Sequence, residues 1–184
     1  MQCLATTTAA YNKLLKRTRT VCSRSAQYSK RVLSRLAKRY VAGEVVHFEL
    51  EPEVSGEWGE HTVVNTSTHP PVVHELHYVF TGWLGDDLIE SFPCYIISER
   101  LARYLSHTQL TGFKLSTVKV TKSDEFQTSY QDSAFPSFTW LQITGDNSSD
   151  FYIGSSGILV VTKAGLDALK MFNLSHCDIG VVAT

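Results

Sequence analysis

Two histidines in the stretch His74-Glu75-Leu76-His77 are of a residue type that often binds metal ions. A zinc-protease signature needs two histidines one helical turn apart, at i and i+4, so that both rings face one ion. Here the spacing is i+3, and the flanking residues favour a strand. A strand would send the two rings to opposite faces. We therefore expect ordinary strand histidines and no metal site.

Acidic side chains gather at two turns, with Asp86, Asp87 and Glu90 at the first and Asp150 at the second. Paired carboxylates can work as a general acid and a general base. Both places are rich in Gly or Ser, however, and Asp is favoured in such turns for its hydrogen bonds to the local backbone. The sequence therefore indicates turn chemistry rather than catalysis at both.

The residue types of a thiol triad occur in His176-Cys177-Asp178. Nucleophile, base and orienting acid must converge on one reacting atom, and adjacent residues of an extended segment cannot do so. The chain also lacks a glycine-rich phosphate loop and a nucleophile elbow. We expect no catalytic residues and no cofactor.

One sequence pattern occurs twice among the elements that position these residues. It covers residues 94–115 and, 64 positions later, residues 158–179. Each segment opens with an apolar, mostly β-branched run, which is typical of a buried strand. Ser98 and Thr162 follow at equivalent positions, and each suits a helix N-cap. Leucines at helical spacing and a second extended stretch complete the pattern. It predicts strand, cap, helix and strand twice, with a chance match as the alternative; two such units would share one core.

Further extended stretches surround this repeat. Alternating residues predict strands at Val45–Leu50 and Phe138–Gly145, and a single strand over Val72–Phe80. Ser55–Gly59 and Asp124–Pro136 are predicted to be loops. The fold class expected is α+β, with about seven strands in a mixed or mostly antiparallel sheet and two helices from the repeat.

Charge divides the chain into two parts. Residues 1–40 carry ten Lys or Arg side chains and no acid, whereas the remaining 144 residues carry seven basic and eighteen acidic side chains, a net charge of −11. Six of these acids are glutamates within residues 44–60, a segment without Lys or Arg. We treat residues 1–40 as a basic extension, weakly structured or helical, and residues 41–184 as a single α+β domain.

The basic extension has four interpretations that the sequence leaves open. Apolar residues recur in it every four positions from Tyr28 to Tyr40, which is the pattern of an amphipathic basic helix. It is a solvated extension or an overlong gene start, an organelle transit peptide, a segment that binds nucleic acid or an anionic membrane, or an arm that folds onto the acidic residues of the same chain.

Composition favours a cytoplasmic protein. No apolar run approaches the roughly 18 to 20 residues that span a bilayer, and the N-terminus lacks the apolar block of a secretory signal. The four cysteines, Cys3, Cys22, Cys94 and Cys177, form no CxxC pair. Free thiols in a reducing compartment are therefore expected rather than disulfides or a zinc site.

An acidic body suits a basic partner, because complementary fields speed association and fix orientation. Tryptophan often forms the energetic centre of an interface, and Trp58 lies in an acidic, glycine-flanked loop. Trp140, within a predicted strand, is expected to be a core residue. The predicted partner-binding residues are Glu49, Glu51, Glu53, Glu57, Trp58, Asp86 and Asp87.

Several stretches resemble a bacterial family of small acidic proteins that are encoded beside polymorphic toxins and are called immunity proteins. The resemblance covers about residues 86–179 and is carried by DDLIESFPCYIISERLARYL, TGFKL, FTWLQITGDNSSDF and ILVVTKAGLDALKMFNLSHCDI. The second repeat departs from the Ser-Glu-Arg junction of the first and has Thr162-Lys163-Ala164-Gly165 instead. Residues 1–40 have no counterpart. The resemblance implies a toxin neutraliser and transfers no catalytic residues.

The sequence thus predicts a non-enzymatic protein-binding module that neutralises a cognate, basic toxin by stoichiometric binding. The competing hypothesis is a small hydrolase or transferase whose site is assembled from scattered residues. Its candidate groups are Asp86, Asp87, His107 and His176. A third hypothesis is a structural or regulatory module targeted by the basic extension.

Overall fold

A computed structural model describes residues 46–129 and 135–182. The basic extension and the predicted domain boundary at residue 41 lie outside the described residues. The described part is an α+β fold, as predicted, with mostly antiparallel strands. None of its helices is long and apolar enough to cross a membrane.

The thirteen strands of the described residues are β1 (His47–Glu51), β2 (Gly56–Trp58), β3 (Val63–Asn65), β4 (Val72–Glu75), β5 (His77–Phe80), β6 (Leu88–Ser91), β7 (Cys94–Ser98), β8 (Phe113–Ser116), β9 (Lys119–Lys122), β10 (Phe138–Ile143), β11 (Phe151–Ile153), β12 (Leu159–Thr162) and β13 (Asp178–Val181). The helices there are α1 (Glu99–Leu105), α2 (Asp124–Ser129) and α3 (Lys163–Leu169).

The predicted repeat is confirmed, and it is larger than predicted. Unit 1 consists of β6, β7, α1 and β8, and unit 2 consists of β11, β12, α3 and β13. Each unit belongs to a four-stranded antiparallel sheet, with the orders β6-β7-β10-β8 and β11-β12-β1-β13. The third strand of each sheet comes from outside the unit. β10 directly precedes unit 2 in sequence, yet it pairs within the sheet of unit 1.

The two sheets also share their register. Leu141 of β10 lies opposite Leu115 of β8, and Leu50 of β1 lies opposite Ile179 of β13. Leu115 and Ile179 are separated by the same 64 positions as the two caps, Ser98 and Thr162. Because most pairs in one sheet have a counterpart in the other, residues of the two units can be compared position by position.

Both predicted caps are confirmed. The Ser98 hydroxyl accepts a hydrogen bond from the Leu101 amide at 3.4 Å, and the Thr162 hydroxyl accepts one from the Gly165 amide at 3.3 Å. These bonds satisfy amides that a helix start would otherwise leave without partners. Each short helix then packs its leucines into the core, where those at Leu101, Leu105, Leu166 and Leu169 are buried.

Three local predictions were wrong. The residues after Asp124, predicted to be a loop, begin with α2, whose Phe126 is buried. The predicted loop at Ser55–Gly59 contains β2. Val72–Phe80 forms two strands rather than one, because β4 pairs with β3 while β5 pairs with β2 and β9.

An aromatic cluster fills the space where the small sheet β2-β5-β9 meets unit 1. Phe80 packs edge-on against Tyr78, with 4.8 Å between ring centroids, and Phe138 also contacts it. Trp140 is buried in the same cluster, so its predicted place in the core is confirmed. This packing holds β5 and the turn that follows it, which carries Asp86 and Asp87.

Candidate functional site

Asp87 joins three chain segments at the start of unit 1. It is 1% exposed, and its carboxylate accepts hydrogen bonds from the Ser98 hydroxyl, from two guanidinium nitrogens of Arg100 and, at 2.7 Å, from the Asn173 amide. Burial opposes the ionisation of Asp87. The hydrogen bonds from Arg100, Ser98 and Asn173 outweigh burial, so the pKa of Asp87 lies below its ordinary value.

Asp150 is the equivalent residue of unit 2. Its carboxylate accepts hydrogen bonds from the Thr162 hydroxyl at 2.7 Å and from the Thr111 amide and hydroxyl at 2.9 and 3.1 Å. Burial would raise the pKa of Asp150, but these hydrogen bonds lower it below the ordinary value. Each aspartate therefore binds the helix cap of its own unit.

The same aspartates also fasten the two units to each other. Asn173, which binds Asp87 of unit 1, lies in the loop after α3 of unit 2. Thr111, which binds Asp150 of unit 2, lies in the loop after α1 of unit 1. This reciprocal arrangement gives both aspartates a structural role, but their hydrogen bonds reach distant segments rather than the local turn backbone that the sequence indicates.

A different group of side chains forms beside Asp87. Asp86 is fully buried, and its carboxylate accepts hydrogen bonds from the amides of Ser175 and His176, at 3.0 and 2.8 Å. The His176 ring nitrogen Nδ1 lies 3.1 Å from Asp86 Oδ1. Glu53, which is 7% exposed, bonds the Ser55 hydroxyl and, at 2.7 Å, the Leu84 amide. Its second oxygen lies 3.4 Å from the Asp86 amide.

Three of the predicted partner-binding residues do not lie at the surface. Glu53, Asp86 and Asp87 are buried, and they cannot offer their carboxylates to a partner at the surface. Each was selected for its charge, but charge alone does not report burial. Their amide and hydroxyl donors lie in segments far away in sequence.

The other predicted residues reach the surface to different degrees. Glu51 and Glu57 are exposed, and Glu49 is half-buried on β1. Trp58 is also half-buried, because its ring packs against the aromatic cluster and its indole nitrogen donates to the Ser91 carbonyl at 3.3 Å. Trp58 thus contributes to the fold, and its part in partner binding stays a prediction.

Glu90 and Asp178, which are distant in sequence from Glu49 and Glu51, lie near them next to β1. Glu51 lies directly opposite Asp178 of β13, and burial together with the charge of Glu51 raises the pKa of Glu90. Burial, followed by the charges of nearby acids including Asp178, also raises the pKa of the Cys177 thiol to about 12. We call Glu49, Glu51, Glu90 and Asp178 the acidic edge.

The residues of the alternative enzymatic hypothesis come together only in part. Asp86 contacts His176, but Asp87 is engaged by Arg100. His107 is exposed, and its ring nitrogen Nδ1 lies 2.7 Å from the Arg103 carbonyl of the preceding helix, α1. Within the described residues these four groups therefore do not line one site.

The histidines of the His-x-x-His stretch also occupy separate environments. His74 is exposed on β4, while His77 is buried on β5. The His77 ring uses both nitrogens, since Nδ1 accepts from the His61 amide at 3.3 Å and Nε2 lies 2.8 Å from the Thr121 hydroxyl. Burial, and then the charge of Lys119, lowers the pKa of His77.

In comparisons with models of protein families, with curated proteins and with solved structures, nothing matches this chain.

Proposed function

We propose that this chain is a non-enzymatic protein-binding module that captures a basic protein through its acidic edge. The partner that fits best is a cognate toxin domain, which the chain would neutralise as a bacterial immunity protein in a stoichiometric complex that covers the toxin's active site. The toxin is proposed from the resemblance of residues 86–179, and the acidic edge supplies the binding surface.

The pairing of Glu51 with Asp178 is the observation that carries the proposal. Like charges directly opposite each other destabilise a pair of strands. The pKa of Glu90, raised by burial and by Glu51, reflects the same crowding of negative charge. These acids destabilise the free protein by repelling each other, and the positive charges of a basic partner would relieve that repulsion.

The described part of the chain as a whole carries a net negative charge. The described residues include sixteen acidic and seven basic side chains, and only Glu53, Asp86 and Asp87 among those acids are buried. A net negative surface attracts a cationic protein over long distances and raises the rate of encounter. The acidic edge would therefore attract the basic partner and fix its orientation.

The test uses the toxin domain encoded beside the gene of this chain. We expect one-to-one binding by titration calorimetry and loss of toxin activity at one equivalent. Glu51→Lys and Asp178→Lys should weaken the complex, whereas Glu75→Lys, an exposed site on β4, should not. A neighbourhood without a toxin gene, or binding that is the same in all three variants, would contradict the proposal.

A further inference from the structure

Glu53, Asp86 and His176 form a group of three metal-ligand types that no part of the proposed function uses. One oxygen or nitrogen atom from each lies within 4.8 Å of those from the other two. Metal bonds of about 2.0 to 2.2 Å place neighbouring ligand atoms roughly 3 to 3.5 Å apart. The 3.1 Å between His176 Nδ1 and Asp86 Oδ1 already matches that spacing. To join them, Glu53 would exchange its hydrogen bonds with the Ser55 hydroxyl and the Leu84 amide for a bond to the ion.

Among the described residues, the basic side chain nearest to the two carboxylates is His176 itself, whose ring nitrogen contacts Asp86. Within the described residues, no Lys or Arg forms an ion pair with Glu53 or Asp86, although both are buried. The adjacent Asp87 shows the contrast, because it is paired with Arg100. Backbone amides donate to both carboxylates, and these neutral donors only partly offset the repulsion between two nearby negative charges. A cation between them would remove that repulsion.

The equivalent positions of unit 2 provide an independent comparison. Ser149 stands at the position of Asp86, and Gly112 stands at the position of His176. These two residues adjoin in the same way, since a Cβ atom on Gly112 would lie 2.8 Å from Ser149 Cβ. Unit 2 therefore forms the same junction without a carboxylate or an imidazole. The Asp86–His176 pair is an addition to the junction of unit 1.

We infer that Glu53, Asp86 and His176 bind a divalent first-row transition-metal ion, Zn²⁺ or Mn²⁺. Two carboxylates and an imidazole suit such ions, and three protein ligands leave coordination positions for water. The His176 side chain is 42% exposed, which gives an ion a route to the buried oxygens. The three ligands come from separate segments, after β1, before β6 and before β13. A bound ion would hold these segments together and stabilise the fold.

Calorimetry and thermal unfolding of the full chain test this site with ZnCl₂, MnCl₂ and MgCl₂. We expect one equivalent of Zn²⁺ or Mn²⁺ to bind and to raise the unfolding temperature, because a ligand that binds only the folded state stabilises it. Glu53→Gln and His176→Asn should each weaken binding by about tenfold or more. His107→Asn removes an exposed histidine outside the group and should leave binding unchanged.

His176→Asn keeps the test decisive if Glu53→Gln fails to fold, because it changes a partly exposed side chain. Paramagnetic broadening by Mn²⁺ gives a second readout, and the His176 ring signals should broaden before those of His107. Three results would each overturn the inference. They are absence of binding at millimolar metal, equal affinity in wild type and His176→Asn, and a preference for Mg²⁺ that does not depend on the imidazole of His176. Failure of this test leaves the acidic edge unaffected, since none of its residues is a proposed ligand.

Discussion

Asp87 and Asp150 occupy equivalent positions in the two units, but their surroundings differ. Both bind the cap hydroxyl of their own unit and the loop after the helix of the other unit. Asp87 is fully buried and has Arg100 as a further partner, while Asp150 is half-buried and Ala164 stands where Arg100 would be. The shared hydrogen bonds are what the repeated fold requires. The arginine is the addition that balances a charge taken out of water.

A second pair of equivalent positions differs in charge. Glu51 and Asp178 face each other in the sheet of unit 2, and Gln142 and Lys114 take the same places in the sheet of unit 1. The register is identical, so the shared backbone does not require acids at positions 51 and 178, which is why we assign Glu51 and Asp178 to recognition.

The largest expected effect on stability comes from replacing each of the two aspartates by alanine. Asp87→Ala leaves the buried Ser98 hydroxyl and the Asn173 amide without their acceptor, and should lower the free energy of unfolding by about 2 to 4 kcal/mol. Asp150→Ala breaks more exposed hydrogen bonds and should cost about 1 to 2 kcal/mol. Urea unfolding measures both. Equal losses would show that burial and Arg100 do not distinguish the two positions.

The dependence of stability on pH should also reflect the shifted pKa of Asp87. The folded-state pKa of Asp87 lies below its ordinary value of 3.8, so its contribution is complete above that pH and is lost as the pH falls through the folded-state pKa. Glu90 has the opposite sign, because its pKa is raised from 4.5; its contribution falls as the pH rises above 4.5. Unfolding from pH 2 to 6 should show a shallower acid slope for Asp87→Asn. An unchanged slope would argue against a depressed pKa.

The smallest expected effect concerns the facing acids of the acidic edge. Glu51→Gln removes a like charge opposite Asp178, and the free energy of unfolding should rise by about 0.2 to 1 kcal/mol. Gln142→Glu in the sheet of unit 1 is the matched control, because it faces Lys114 and introduces no like-charge pair. Destabilisation by Glu51→Gln would mean that Glu51 has a structural partner.

The repeated units could be predicted because their signals are local. Apolar runs, the caps Ser98 and Thr162, and leucines at helical spacing all lie within a few residues of one another. The placement of β1 and β10 could not be predicted, since each pairs with strands distant in sequence, as when His47 faces Thr162. The splitting of Val72–Phe80 was missed for the same reason.

The buried carboxylates were harder to predict than the fold. Asp86 is separated from His176 by 90 positions, and no local sequence pattern indicates their contact. One usable signal was present in the sequence, because Asp87 precedes Ser98 by 11 positions and Asp150 precedes Thr162 by 12. Extending the repeat backwards would have paired these aspartates and indicated a structural role for Asp87.

Association kinetics test the central claim, capture through the acidic edge, most directly. The rate constant for binding of the toxin domain should fall by about tenfold in Glu51→Gln/Asp178→Asn at low salt, and the wild-type rate should approach the variant's rate as salt increases. Rates that are equal in wild type and variant, and that do not depend on salt, would contradict the account.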